Sequence, residues 1–356
     1  MTPSSNTAPA PFRLAVNGYG RIGRCFVRAI HEAGLADYLC VVAINEPATL
    51  ASIAHLTRFD STHGRFPGQA DFKEDENILL LDGRRVSVSH AHAPEEVDWR
   101  AQGIDLVAEC SGRYVERAQL QGFINAGCPR LLLSNPGAHA YDVDATVVYG
   151  VTHTGLDPQA RLVSAASCTT NAVVPVLSLL HQELGIERAL LTTLHSAMND
   201  QPLIDGYHHH DLARTRSAMQ SIIPVTTGLA RGVERLLPEL EGRVTAKAIR
   251  VPTHNVSAID MVLTFSGETS AVRVNGLLRD AIQGKYAGLL DWSDAPHASI
   301  DFNHDPHSAI IDASQIRACG PRMMNLLVWF DNEWGFANRM VELARHWLEA
   351  LAGRAL

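Results

Sequence analysis

One short segment constrains this chain more than any other. Gly18-Tyr19-Gly20-Arg21-Ile22-Gly23 follows an apolar run with strand character (residues 13–17, RLAVN) and precedes residues 24–33, where Phe26, Val27 and Ile30 recur at helical spacing. A second apolar run, residues 40–45 (CVVAIN), ends in Glu46. Strand, G-x-G-x-x-G, helix, strand and acid, in that order, make the fingerprint of a dinucleotide-binding unit. Gly18 permits a tight turn, Gly20 lets the backbone approach a pyrophosphate, and Gly23 lets the helix pack closely on the strand. The helix start, at Arg21 and Ile22, supplies free amides and the positive end of a dipole to that pyrophosphate. Glu46 can accept hydrogen bonds from ribose hydroxyls and would repel a 2′-phosphate, which favours NAD over NADP.

Composition narrows the ligand chemistry. The 356 residues carry 30 cationic and 38 acidic side chains, a net charge of −8, and only three of the cations are lysines: Lys73, Lys247 and Lys285. No block of like charge marks a nucleic-acid or membrane partner, and no P-loop is present. Anions must therefore be held by arginine and backbone amides. The length predicts two domains, with 46% apolar residues for their cores. Residues 1–11 are uncharged and lack a core-forming composition, so they read as a disordered tail. A secretory signal would need a basic start and an apolar stretch. Six scattered cysteines without a C-x-x-C pair argue against a disulfide framework, and the expected location is cytoplasmic. His90/His92, the run His208–His210 and His304/His307 lack the companion spacing of a zinc site, so no metal is expected.

Further apolar runs cover residues 104–109, 131–134, 146–151 and 162–163, several closing on small residues such as Ser134. They suit a doubly wound sheet whose ligand loops lie at the strands' carboxyl ends. Residues 71–77 and Asp82-Gly83 read as turns around an inserted hairpin. The run to residue 163 leads through small residues into Ser167-Cys168-Thr169-Thr170-Asn171, after which a helical pattern begins at once. A cysteine at a helix start gains dipole and amide stabilisation of its thiolate, which lowers its pKa. A strand at 189–194 then ends in His195, and a cysteine and a histidine at neighbouring strand ends can activate each other. Each alone reads as a core residue; the pairing points to nucleophilic catalysis.

The segments VNGYGRIGR (16–24), SCTTN (167–171), RVPT (250–253) and DNEWGFANRM (331–340) resemble those of the glyceraldehyde-3-phosphate dehydrogenase family, along nearly the whole chain after the tail. INE (44–46), HSAMNDQ (195–201), QSIIPV (220–225) and DFNHDPHSAI (301–310) fit its erythrose-4-phosphate dehydrogenase branch. The resemblance implies Cys168 as nucleophile, His195 as the base that keeps it a thiolate, and a hydride passed to NAD. It implies that Asn332 holds the nicotinamide carboxamide. Asp200, Arg216 and Arg250 match positions around the substrate phosphate; Thr169, Thr227 and Gly228, beside Ser167, match a second anion site. A small phosphorylated aldehyde as partner and a homotetramer are also implied, with residues 199–224 as an intersubunit loop.

Departures matter too. Met198 stands where phosphorylating members usually carry a threonine, and a thioether cannot donate to phosphate. Ala172 replaces a second cysteine and Phe336 a tyrosine, neither of which the mechanism needs, and Ala213 replaces the first arginine of a usual pair while Arg214 and Arg216 remain. The fold expected is α/β: a Rossmann domain from residues 12–167 and 333–356, and an α+β catalytic domain, residues 168–332, with a mixed or antiparallel sheet. Its strands are expected at 244–251, 255–265 and 326–330, with one helix at 272–283, while the apolar stripe Phe336, Met340, Leu343, Trp347 and Leu351 returns a last helix to the first domain. Three functions follow: oxidation of erythrose 4-phosphate to 4-phosphoerythronate, linked to pyridoxal phosphate synthesis; phosphorylating oxidation of glyceraldehyde 3-phosphate; or non-catalytic NAD binding.

Overall fold

The computed structural model describes residues 10–208 and 211–354, so tail residues 1–9 and two members of the histidine run, His209 and His210, lie outside the described residues. The first half lays down β1 (Phe12–Asn17), α1 (Arg21–Glu32), β2 (Leu39–Asn45), α2 (Leu50–Arg58), and the short antiparallel pair β3 (Phe59–Asp60) and β4 (Gly64–Arg65). A meander of β5 (Ala70–Lys73), β6 (Ile78–Leu81) and β7 (Arg84–Ser89) comes next. Then come β8 (Leu106–Glu109), α3 (Arg117–Asn125), β9 (Leu131–Leu133), β10 (Ala145–Thr146) and β11 (Leu162–Ser164).

Nine of these strands form one sheet, in the order β10-β11-β9-β8-β1-β2-β7-β6-β5. It is parallel from β10 to β7, with β6 and β5 added antiparallel at one edge. The buried centre explains the unbroken apolar runs: every residue of β8 and β9 is shielded. β1 lies between β2 and β8, so the chain leaves it first to one side and later to the other. Such a switch point opens a crevice at the carboxyl ends of the strands, and the Gly18 turn sits there.

The second half begins with α4 (Cys168–Leu184), which runs through Pro175, and β12 (Ile186–His195). It continues through β13 (Ile223–Val225), α5 (Leu229–Leu236), β14 (Val244–Arg250), β15 (Ser257–Phe265) and α6 (Ala271–Gln283). The last elements are β16 (Leu290–Ser293), β17 (Ala309–Ala318), β18 (Met323–Phe330) and α7 (Trp334–Leu351). The sheet order is β13-β14-β12-β15-β18-β17-β16, with parallel and antiparallel pairs mixed. α4 and α5 pack on it, burying Val173, Leu177, Leu229 and Val233 in a second core. α7 belongs to the first core instead: Phe336, Met340, Leu343 and Trp347 are buried there beside Phe26 and Ile30 of α1.

Three expectations change. The strand expected at 146–151 stops at Thr146, because the chain turns at Gly150, whose φ of +84° and close approach to Leu289 suit only glycine. Asp71–Lys73 pair as part of β5, and the turn is confined to Glu74–Asn77. The second half holds α5 in addition to α6; α5 is only eight residues long, and tertiary packing of Leu229, Val233 and Leu236 gives it the stability its length denies it. Among the described residues no helix is long and apolar enough to cross a membrane.

Candidate active site

The glycine turn is built as steric demand requires. Gly18 has φ +82°, and a Cβ there would fall 2.5 Å from the backbone of Ser111, at the end of β8. A Cβ on Gly23 would fall 2.2 Å from the Gly18 carbonyl. Gly20 differs: nothing lies within 4 Å of a Cβ placed on it, and it starts α1 without a side-chain cap. The open space beside Gly20 and the uncapped amides of α1 fit the diphosphate of a dinucleotide. Glu46 is held at the end of β2, accepting from the Tyr19 N–H at 2.8 Å and the Ala48 N–H at 3.3 Å. Gly18, Gly20, Glu46, Ser111 and Tyr114 line a cavity of about 150 Å³. Below it the buried Glu109 accepts from Asn17 Nδ2 at 2.5 Å and from the Ser111 N–H at 2.8 Å. Burial pushes the Glu109 carboxyl up to about 7 against those hydrogen bonds. Sequence reading saw Glu109 only as a strand end, because its partner Asn17 lies 92 residues away.

A larger cleft of about 670 Å³ continues from this cavity, sharing Gly20, Cys110 and Ser111. Arg21, Ile22, Ser134, Ser167, Cys168, His195, Met198 and Asn332 line it. Cys168 is the first residue of α4, capped by Ser167 Oγ, which accepts the Thr170 N–H at 3.2 Å. Cys168 Sγ lies 3.7 Å from His195 Nε2. His195 Nδ1 lies 2.9 Å from the Ser196 carbonyl, so that nitrogen carries the proton and Nε2 turns a lone pair toward the sulfur. The expected depression of the thiol is not found. Burial pushes Cys168 up to about 11, the amides of Thr169 and Cys168 opposing it only in part, and burial lowers His195. The resting pair is thus a neutral thiol beside a neutral imidazole.

Asn332 Oδ1 accepts from two serine hydroxyls, Ser196 at 3.0 Å and Ser257 at 2.8 Å. Ser134 donates its N–H to Glu109 O at 3.0 Å on the opposite wall. The Arg21 guanidinium is spent within the protein, on Glu333 Oε1 at 2.9 Å and Asp60 Oδ2 at 2.5 Å, which leaves its amide for a ligand.

Arg250, buried at the end of β14, donates to Asp200 Oδ1 at 2.6 Å and Gln201 Oε1 at 2.9 Å. Although burial would raise it, Asp200 is held below the usual carboxylate range by Arg250 and Arg214. Arg214, not Arg216, completes this group, at 2.9 Å from Asp200 Oδ2. The turn Ala213–Thr215 throws the two arginines to different sides, and Arg216 instead pairs with Asp205 at 2.9 Å with 65% of its side chain exposed. Thr169 Oγ1 lies 3.0 Å from Ser167 Oγ, while Thr227 Oγ1 accepts the Leu229 N–H at 3.2 Å and Gly228 starts α5. The first turns of α4 and α5 are close: a Cβ on Gly232 would sit 3.1 Å from Thr170 Oγ1.

Among the described residues two groups have ligand atoms near enough to share a metal, Cys25-His63-Glu333 and Asp291-Asp305-His307. In the first, Glu333 is already paired with Arg21 and with His63. His304 is tied to Glu32 and His63.

Two family models match the chain. Residues 12–117 match the NAD binding domain of glyceraldehyde 3-phosphate dehydrogenase, and residues 167–332 match its C-terminal domain.

Proposed function

The chain belongs to the glyceraldehyde-3-phosphate dehydrogenase family, an NAD-dependent oxidoreductase acting on a sugar-phosphate aldehyde, and we propose that its aldehyde is D-erythrose 4-phosphate. The product is 4-phosphoerythronate, released from a thioester on Cys168, and the role fits pyridoxal phosphate synthesis. The observation that carries this reading is Met198. It lines the cleft beside His195, 46% exposed, and offers a thioether where a phosphate would seek a hydroxyl.

NAD would be held by the Gly18–Gly23 turn, Glu46, Ser134 and Asn332, and when bound it supplies the acceptor for the aldehyde hydrogen as hydride. The chain's own groups do the rest. His195 Nε2 takes the Cys168 thiol proton as Sγ bonds to the aldehyde carbon. The amide at the start of α4 and the imidazolium face the developing oxyanion. The imidazolium passes its proton to that oxyanion, and His195 takes it back from the resulting hydroxyl as the carbon is oxidised to the thioester. Water attacks the thioester carbon, the C–S bond breaks, the leaving thiolate takes its proton from His195, and the protons of the water pass to solvent as the carboxylate forms. Arg250, balanced by Asp200 and helped by Arg214, offers guanidinium groups to the substrate phosphate.

A second reading keeps inorganic phosphate as the final acceptor. The adjoining starts of α4 and α5, with Thr169, Thr227 and Gly228, favour an anion there. Product analysis decides between them: erythrose 4-phosphate turned over without inorganic phosphate to a free acid supports the proposal, and an acyl phosphate formed only when phosphate is present supports the second. Residues 12–167 with 333–356 are assigned as the NAD domain and residues 168–332 as the catalytic domain. A cytoplasmic homotetramer completes the reading. Leu203, Ile204, Tyr207, Leu212 and Ile222 are exposed apolar side chains in the loop assigned to subunit contact, which supports it.

A further inference from the structure

We infer that Ser196 and Ser257 are positioning residues that fix which end of the Asn332 amide faces the nicotinamide, an inference that rests on the cofactor reading above. A side-chain amide is nearly symmetric in shape but opposite in hydrogen-bond sense at its two ends. Here one end meets two hydroxyls, Ser196 Oγ at 3.0 Å and Ser257 Oγ at 2.8 Å. Ser257 Oγ also accepts the Ser196 N–H at 3.1 Å, so its own proton is directed to Asn332. Both serines are fully buried, 0% and 1% exposed, which removes water as an alternative partner. Among the described residues Asn332 is the acceptor of both hydroxyl protons, which requires the facing atom to be Oδ1. In the flipped amide Nδ2 would donate to both hydroxyls and leave their two protons without an acceptor in a buried site.

The oxygen end being committed, Nδ2 is the end left for the cleft that Asn332 lines. It can donate to a carboxamide oxygen. A flipped amide would accept from the carboxamide nitrogen instead, and would hold the ring in a different orientation. The same brace reaches the base: the Ser196 carbonyl that receives His195 Nδ1 at 2.9 Å belongs to the residue whose hydroxyl holds Asn332. One residue between β12 and the following loop thus sets both the His195 tautomer and the sense of the Asn332 amide. Ser257, the first residue of β15, locks it from the antiparallel neighbour of β12.

The test compares equilibrium binding of NAD and of ADP-ribose, which lacks nicotinamide, by calorimetry on the full chain. Ser196→Ala, Ser257→Ala and the double variant are measured, with Ser257→Thr as the conservative control that keeps a hydroxyl. Losing the two neutral hydrogen bonds should weaken NAD by about tenfold in the double variant while ADP-ribose binds as before. Ser257→Thr should restore most of the difference. Deuteride transfer from a C1-deuterated sugar-phosphate aldehyde, stereochemically pure in the parent, should become mixed in the double variant. An unchanged NAD to ADP-ribose affinity ratio, whether both ligands bind normally or both weaken, would overturn the inference. Because binding needs no aldehyde, that result is separate from whether erythrose 4-phosphate is the substrate.

Discussion

Cys168 Sγ lies 3.7 Å from His195 Nε2, and the other nitrogen of the same imidazole is committed to the Ser196 carbonyl at 2.9 Å. The imidazole therefore has one tautomer and one direction in which it can take a proton. Burial raises the thiol and lowers the imidazole, so in the proposed mechanism the thiolate forms as it is used.

That arrangement dictates a pH profile. His195 titrates below its ordinary 6.5, so it stays a free base through neutrality, and kcat/KM should fall only on the acid side as the imidazole gains its proton. In His195→Asn the rate of Cys168 alkylation by iodoacetamide should climb roughly tenfold per pH unit toward a thiol value of about 11. At pH 7 the variant's turnover should be lower by about 10²–10⁴-fold. Identical profiles in the two proteins would show that His195 is not the base.

The glycines of the turn should separate cleanly. Gly23→Ala meets the Gly18 carbonyl at 2.2 Å and should cost about 1–3 kcal/mol of stability as overpacking, with NAD binding lost as a by-product. Gly20→Ala meets nothing within 4 Å, so thermal unfolding of the apo protein should be unchanged while the KM for NAD rises. Equal thermal penalties in the two variants would contradict this.

Among the arginines, Arg250→Ala should raise the aldehyde KM by roughly 10–100-fold, because a charge-assisted pair is lost and Asp200 is left without its closest partner. Arg250→Lys should recover little, since an ammonium cannot fork onto phosphate. Arg216→Ala, removing an exposed group paired with Asp205, should leave KM within about twofold, as surface pairs contribute little. Steady-state kinetics on the three variants checks the order.

Glu109 makes a stability prediction. Its carboxyl titrates in the fold at about 7, above its ordinary 4.5, so the fold favours the protonated form. The contribution is complete below pH 4.5 and is lost as pH rises through 7, amounting to about 3 kcal/mol at about 1.4 kcal/mol per unit. Glu109→Gln should flatten that part of the melting-temperature profile between pH 5 and 8. A calorimetric profile with the same slope in both proteins would remove Glu109 as its cause.

Much of the site could be read in the sequence because it is local. The Gly18 turn, the Cys168 helix start and the α7 stripe each declare themselves within a single turn or helix. What escaped depends on distant partners or on a turn's handedness. Glu109 is defined by Asn17, and Asn332 by Ser196 and Ser257, none of them sequence neighbours. The choice between Arg214 and Arg216 rests on one short 3-10 turn. The thiol's shift went the other way because the helix amides act locally, whereas burial is a property of the whole cleft. β16 and β17 carry no such local signal, because β17 is placed by pairing with β18 and β16 by pairing with β17.

The central claim is best tested by the ratio of kcat/KM for D-erythrose 4-phosphate and D-glyceraldehyde 3-phosphate, measured as NADH formation in phosphate-free buffer. A clear preference for the four-carbon aldehyde, abolished by Cys168→Ser, is the predicted result. A preference for the three-carbon aldehyde that appears only when inorganic phosphate is added would contradict it.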